Sequence, residues 1–180
     1  MAQYDDDAVV VYQAYRPSIG RFAAEHGYFG GEFSLERMSW IKPNFLWMMY
    51  RSGWATKEGQ EVVLAIWLAR AKFDAIVAQA VPSSFDDTRY ADRKAWQQAV
   101  TRSEVRLQWD PDHDPYGKPV ERRAVQLGLR GSVLASYARE WIRGLEDITP
   151  FVREQHAVLK RDGTAALVTP LERVYPSAHV

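Results

Sequence analysis

Cysteine is absent from the 180-residue sequence. Its absence excludes disulfide bonds, cysteine-ligated zinc and thiol catalysis. A chain without disulfides is typical of a reducing compartment, so we expect a cytoplasmic protein. The four histidines are the only soft metal ligands that remain, and we expect no bound metal.

Net charge and long hydrophobic runs are missing as well. The 23 basic residues balance the 23 acidic ones, so the chain lacks the long-range field that draws proteins onto nucleic acid or anionic lipid. The most apolar runs, residues 45–50 and 62–69, are far shorter than the roughly 20 residues of a membrane span. Three aspartates at positions 5–7 also oppose a secretory signal. We therefore expect no association with a membrane.

The chain is instead rich in core-forming material, with 47% hydrophobic and 13% aromatic residues. A chain of this length and composition is typical of one domain with a sizeable core. Neither a repeat nor a linker divides the sequence. We expect a single domain over residues 1–180, with residues 1–7 and roughly 170–180 flexible.

Hydrophobic periodicity and the positions of proline and glycine predict alternating strands and helices. The predicted strands are residues 8–15, 62–68, 105–109 and 124–129, with a loop over residues 110–119. The predicted helices are residues 17–26, 43–52, 71–80, 90–100 and 133–145, and a last one begins at Thr149 and Pro150. Ser132 is the expected cap of the fifth helix. The continuous apolar run at residues 62–68 predicts a central strand covered on both faces. The mixture favours an α+β fold with small central sheets flanked by helices.

Two segments hold most of the residue types that bind ligands. Residues 12–54 combine arginine, lysine, glycine and tryptophan more densely than an ordinary core requires. Residues 108–131 repeat the mixture with acidic residues added. Because ligand sites combine aromatic walls with a few polar groups, we predict that the two segments converge on one pocket.

Four motifs carry a family resemblance. They are YQAYRPSIG, MSWIKPNFLWMMYRSGW, LQWDPDH and ERRAVQLGLRG, and they occur in that order. In these motifs the chain resembles the family known as domain of unknown function 4291, over nearly its whole length. That label implies no activity.

The order of elements is similar, more distantly, to the ADP-ribosyltransferase superfamily, whose members bind NAD in a cleft between two small sheets. The shared order is a strand ending in arginine or histidine, a helix, an aromatic-rich segment, an apolar strand, and a late strand preceded by a glutamate. The corresponding segments are residues 12–16, 39–54, 62–68 and 121–129. The chain departs from the commonest pattern by placing Trp40 where a serine-threonine-serine group is usual. The resemblance implies an enzyme that transfers ADP-ribose from NAD to an acceptor.

This resemblance suggests roles for four residues of the first segment. Arg16, where a strand turns into a helix, is expected to pair two oxygens of the NAD diphosphate. Trp40, Lys42 and Tyr50 are expected to place flat rings and a cation against the nicotinamide or adenine ring and the phosphates. The alternatives are an ion pair for Arg16 and core packing for the aromatic side chains.

Glu121 and Gln126 are the expected catalytic residues. The Glu121 carboxylate would orient the attacking nucleophile and stabilise the positive charge that builds on the ribose as nicotinamide departs. Gln126 would supply an amide contact to the substrate. The alternatives are a solvated pair between Glu121 and a neighbouring arginine, and a Gln126 that satisfies a backbone group.

Two other functions stay open. Asp110, Asp112 and His113 could form the centre of a metal-dependent hydrolase, since carboxylates suit hard cations, although Asp-Pro sequences also form ordinary turns. The chain could instead be a nucleic-acid or nucleotide-binding module without catalysis, with tryptophans that stack on bases. The phosphate contacts of such a module would be Arg21, Arg51, Arg122, Arg123 and Arg130. The acceptor of the transferase, whether protein, nucleic acid or small molecule, is not specified by the sequence.

Overall fold

In the computed structural model, which describes residues 1–176, the apolar run after residue 61 forms the centre of a three-stranded antiparallel sheet, here called sheet 1. This strand, β3 (Val62–Ala69), pairs with β1 (Ala8–Tyr15) and β7 (Ile142–Asp147). Its side chains alternate between two apolar clusters, with Leu64 in one and Val63 in the other. The prediction of a central strand buried on both faces is therefore confirmed.

The second sheet, sheet 2, has four strands in the order β2-β6-β5-β4. β2 (Ser39–Ile41) and β5 (Val105–His113) pair antiparallel with β6 (Pro119–Leu129), and the short β4 (Val81–Pro82) is parallel to β5. A bridge between Tyr12 of β1 and Lys42, just after β2, joins the edges of the two sheets.

The hairpin of β5 and β6 is longer than the sequence predicted. Pairing continues beyond the predicted strands, through Pro111 and Arg123 to His113 and Pro119. The prediction of a loop over residues 110–119 is therefore wrong in extent. Aspartate and proline favour turns locally, but the antiparallel partner strand holds these residues in extended geometry.

Within residues 1–176, six α-helices surround the sheets. They are α1 (Pro17–His26), α2 (Phe45–Ser52), α3 (Arg70–Ala78), α4 (Arg93–Arg102), α5 (Gly131–Arg139) and α6 (Thr149–Asp162). Side chains of α1, α3 and α5 join the cluster shared by the two sheets, and α2 and α6 cover the other face of sheet 1. The predicted α+β fold, with small sheets flanked by helices, is confirmed.

The predicted helix over residues 133–145 is wrong in its second half. α5 ends at Arg139, and Ile142 begins β7, which pairs with β3. Apolar residues at 141, 142 and 145 continue the helical spacing, but Gly144 weakens a helix and the free edge of β3 offers backbone partners. The Ser132 cap is also wrong, because Glu104 accepts hydrogen bonds from the Ser132 and Val133 backbone N–H groups instead.

Both ends of the described chain contact the body of the protein. Ala2 pairs with Arg173 in an antiparallel bridge, and the Tyr175 hydroxyl donates to Asp74 over 2.6 Å. The flexibility of residues 1–7 and roughly 170–180 stays a prediction, and residues 177–180 lie outside the described part. No helix in residues 1–176 is both long enough and apolar enough to cross a bilayer.

Candidate functional site

A cleft of about 660 Å³ opens between sheet 2 and α2. The first segment, residues 12–54, contributes Trp40, Lys42, Trp47, Tyr50 and Arg51. The second segment, residues 108–131, contributes Gln108, Asp110, Pro111, His113, Pro119 and Gln126. All of these lining residues therefore come from the two segments that the sequence predicted to converge, and the volume lies within the range typical of small-molecule sites.

Strand register explains why these polar side chains share one face of sheet 2. Successive side chains of a strand point to opposite faces, and directly paired residues share a face. Gln108 is paired with Gln126, and Asp110 lies two residues further along β5. Trp40 is paired with Gly128, two residues beyond Gln126 on β6. The floor of the cleft is therefore a single polar and aromatic face of sheet 2.

Gly128 allows the Trp40 ring to approach β6 closely. A Cβ atom added at Gly128 would come within 3.0 Å of the Trp40 ring and 2.6 Å of the Met38 sulfur. Both distances are shorter than an ordinary van der Waals contact. The indole position therefore depends on the absence of a side chain at residue 128.

The wall of the cleft is α2, which begins at a well-formed cap. The Asn44 side chain accepts a hydrogen bond of 2.8 Å from the Trp47 backbone N–H. At the far end of the helix, the ring of Tyr50 stacks on His113 with centroids 3.6 Å apart. Tyr50 remains 48% exposed, so part of its side chain is accessible to a ligand.

A buried hydrogen-bond network holds β2 against β1. The Gln13 side chain donates to the Ser39 hydroxyl over 2.8 Å and to the Trp40 carbonyl over 3.1 Å. Its own carbonyl accepts from the Tyr137 hydroxyl over 2.7 Å. Such a network fixes the position of the short β2 and hence of Trp40 and Lys42.

Lys42 has an unusual electrostatic environment. It is 7% exposed, and its ammonium donates only to the Trp40 carbonyl, over 3.3 Å. Within residues 1–176 no carboxylate forms an ion pair with it. Burial, reinforced by the positive charge of Arg51 and partly opposed by Asp110, lowers the pKa of Lys42 to about 7.

Asp110 is the carboxylate that faces this cleft. One oxygen accepts from the Gln108 amide over 3.0 Å and the other from the Gln126 amide over 2.8 Å. Two amide donors fix the orientation of the carboxylate. The arrangement suits the stabilisation of a positive charge that develops on a bound substrate.

Two buried ring nitrogens at the cleft have no hydrogen-bond partner within the described residues. They are Nε1 of Trp47 and Nδ1 of His113, and the two side chains are 4% and 8% exposed. Buried polar groups in native proteins are normally paired. Both side chains line the cleft, and a ligand that reaches these atoms would supply the missing partners.

The structure brings Trp40, Lys42, Tyr50 and Gln126 together but leaves Arg16 elsewhere. Arg16 borders a second cleft of about 380 Å³, beside Ser39. Its guanidinium forms a 2.9 Å ion pair with Glu32, and the two side chains are 56% and 59% exposed. This pair is the alternative that the sequence offered for Arg16.

Glu121 is not among the residues that line the cleft either. It is exposed, in the irregular part of the hairpin between the Pro111–Arg123 and His113–Pro119 pairs. Glu121 lies eight positions before Leu129 on β6, which corresponds to roughly 25 Å of extended strand, and Leu129 is paired with Ser39, beside the cleft of Arg16. The expected convergence of Arg16 and Glu121 on one ligand is therefore not observed.

Of the residues proposed for a metal site, Asp110 and His113 line the cleft but Asp112 does not. Asp112 is fully buried and accepts from the Arg122 guanidinium over 2.7 Å, while His113 stacks on Tyr50. Within residues 1–176 no group of three or more His, Asp or Glu side chains is placed to hold a metal ion. The geometry gives no support to a metal-dependent hydrolase centred on Asp110, Asp112 and His113.

Several arginines proposed as nucleic-acid contacts bind the protein itself. Arg122 binds Asp112, and Arg123 donates to the Trp109 carbonyl over 2.6 Å. Arg130 donates to the Ser103 and Thr101 carbonyls at the end of α4. Of the proposed phosphate contacts, Arg51 is the one that lines the cleft.

Sequence reasoning did not assign Trp47, Arg51, Gln108, Asp110 and His113 to a common pocket. One signal was present at the edge of the predicted strand 105–109: Gln108 lies on it, and Asp110 would share its face if the strand continued one residue further. No local sequence pattern encodes the strand register that places Gln108 beside Gln126. Nor does any local pattern encode the packing of α2 over sheet 2.

The whole described fold falls within one family. Residues 1–175 match the family model described as "Domain of unknown function (DUF4291)". The matched range includes both segments of the cleft and all four sequence motifs. No curated protein matches the chain. The chain belongs to the DUF4291 family.

Proposed function

We propose that the cleft between sheet 2 and α2 binds NAD and that the protein transfers ADP-ribose from it to an acceptor. The observation that supports this most strongly is the convergence of Trp40, Lys42, Tyr50 and Gln126 on one cleft of about 660 Å³. Aromatic faces, cations and a few fixed polar groups are the combination that a dinucleotide requires. The transfer of ADP-ribose is proposed from the distant resemblance in element order to the ADP-ribosyltransferase superfamily.

The binding roles follow from charge and shape. Arg51 is a permanent cation at the cleft and pairs with the diphosphate, and the Lys42 amine donates a hydrogen bond to a phosphate oxygen. Trp40 on the floor and Tyr50 on the wall offer ring faces for nicotinamide and adenine. The Trp47 indole N–H donates to a ligand oxygen.

Asp110 takes the role that the sequence suggested for Glu121. As nicotinamide leaves, positive charge builds on the ribose ring in an oxocarbenium-like transition state. A carboxylate held in place by Gln108 and Gln126 stabilises that charge without reorganising. Arg16 and Glu121 take no part in this form of the reaction. The acceptor and a cytoplasmic location remain predictions.

The test combines calorimetric titration with NAD and a chromatographic measurement of nicotinamide release. The wild type is expected to bind NAD, and Trp40→Ala to weaken binding. Asp110→Asn is expected to retain binding and to lower nicotinamide release by about 100-fold. Glu121→Gln is the matched control, since it makes the same chemical change outside the cleft and should leave both quantities unaltered. Absence of NAD binding by the wild type, or a loss of turnover in Glu121→Gln but not in Asp110→Asn, would refute the proposal.

A further inference from the structure

We propose that Lys42 is a reactive amine that forms an imine with phosphate-bearing aldehydes entering the cleft. This reactivity goes beyond ADP-ribosyl transfer and does not require that NAD binds. Open-chain ADP-ribose, which carries an aldehyde and a diphosphate, is one member of this class of ligand.

The position of Lys42 is fixed by its backbone. The Tyr12 N–H donates to the Lys42 carbonyl over 2.7 Å, and the Lys42 N–H donates back over 3.3 Å. The side chain then runs into the cleft, where its nitrogen lies 5.2 Å from the centre of the Trp47 ring. An amine held in this way is presented to a ligand in a restricted geometry.

Burial and a neighbouring cation favour a neutral Lys42 amine. Arg51 of α2 lines the same cleft as a second cation, and His113 of β5 lines it too. The carboxylate of Asp110 is already bound by two amides and does not pair with Lys42. Desolvation beside another cation is the arrangement that activates lysine as a nucleophile, in agreement with its lowered pKa.

The ligand class follows from the groups around the amine. The neutral amine adds to an aldehyde carbon, and the carbinolamine loses water to leave a carbon–nitrogen double bond. Both amine hydrogens and the aldehyde oxygen depart as that water. Arg51 provides the charge for a phosphate on the same molecule, and the unpartnered Trp47 Nε1 donates to one of its oxygens.

Pyridoxal 5′-phosphate is a suitable probe, because it has both an aldehyde and a phosphate. The full chain is treated with limiting probe at pH 7.5, reduced with borohydride and analysed by peptide mass spectrometry. The exposed lysines at positions 57, 72, 94, 118 and 160 are internal references. Lys42 should be modified at least about tenfold faster than each of them, since much more of it is unprotonated at this pH. The rate should rise with pH around a midpoint near 7, the pKa of Lys42.

Variants separate the parts of the proposal. Lys42→Arg should abolish the modified peptide, and the matched Lys118→Arg should not change modification of Lys42. Arg51→Gln, and replacement of the probe by pyridoxal without phosphate, should each slow modification. Modification of wild-type Lys42 no faster than the exposed lysines, or a pH midpoint near that of an ordinary lysine, would overturn the inference. Because the readout is labelling, a chain that fails to bind NAD can still support it.

Discussion

Lys42 places an amine where its surroundings oppose a positive charge. The side chain is nearly buried, has no carboxylate partner within residues 1–176 and lies close to a second cation. Unpaired buried charges are costly, so natural proteins usually avoid them outside functional sites. At the scale of the single residue, Lys42 is therefore the strongest sign that this cleft serves a ligand.

Replacing Lys42 by methionine should stabilise the free protein. The pKa of Lys42 is about 7 in the folded state and about 10.5 when unfolded, so its contribution to stability is full above pH 10.5 and is lost as the pH falls through 7. At pH 7, Lys42→Met should raise the free energy of unfolding by about 1–3 kcal/mol. Urea denaturation at pH 7 and pH 9 measures this, with Lys57→Met as the exposed control. A Lys42→Met protein that is less stable at pH 7 would contradict the account of a strained charge.

At the scale of the element, α5 is capped from a distant part of the chain. Glu104, which precedes β5, accepts from the Ser132 N–H over 3.0 Å, the Ser132 hydroxyl over 2.6 Å and the Val133 N–H over 3.1 Å. These bonds, with the Ser132 hydroxyl first, lower the pKa of Glu104. The carboxylate satisfies the free N–H groups of the first turn and interacts favourably with the helix dipole.

Glu104→Ala should therefore destabilise the fold by about 1–2 kcal/mol. Glu104→Gln keeps a hydrogen-bond acceptor without the charge and should lose less stability than Glu104→Ala. Because the pKa of Glu104 is lowered in the folded protein, its contribution to the free energy of unfolding is present above its unfolded pKa. That contribution declines as the pH falls below the unfolded pKa. Thermal unfolding of the two variants at pH 7 provides the comparison. Equal losses of stability in the two variants would show that a neutral acceptor cannot replace the carboxylate. No loss of stability in either variant would show that Glu104 does not stabilise α5.

At the scale of the whole molecule, the carboxyl-terminal segment is tied to the cleft wall through Glu172. Its carboxylate accepts from the Phe45 backbone N–H and from the Asn44 amide, over 2.9 Å for the latter, at the start of α2. Burial raises the pKa of Glu172 to about 7, with a smaller contribution from nearby Asp112, although the Phe45 N–H opposes the shift. Protonation of Glu172 is thus coupled to α2, the helix that carries Tyr50 and Arg51.

The expected pH dependence follows from this raised pKa. The contribution of Glu172 to stability is full below its unfolded pKa of about 4.5 and is lost as the pH rises through about 7. Glu172→Gln should remove this dependence, which amounts to at most about 1.4 kcal/mol per pH unit. Denaturation series between pH 4.5 and 8 compare Glu172→Gln with the wild type and with Glu154→Gln, an exposed carboxylate. Parallel pH profiles for Glu172→Gln and the wild type would show that Glu172 titrates normally.

The local elements were largely readable from residue order. Residues 8–15 and 17–26 were predicted as a strand and a helix with the bounds that the structure has, since proline and glycine mark the ends of both. The continuous apolar run after residue 61 predicted a doubly covered central strand, and the α+β class followed from the mixture of elements. Composition also indicated that residues 12–54 and 108–131 would meet at a pocket, because both hold more polar and aromatic side chains than a core needs.

Contacts between remote parts of the chain determined the remaining features of the fold and of the cleft. Residues 142–147 became a strand because β3 had a free edge, although their apolar spacing also fits a helix. Asp110 faces the cleft, and Arg16 and Glu121 do not, because cross-strand register and the packing of α2 set which side chains share a face. Both depend on hydrogen bonds and packing between residues far apart in sequence, which no local periodicity records.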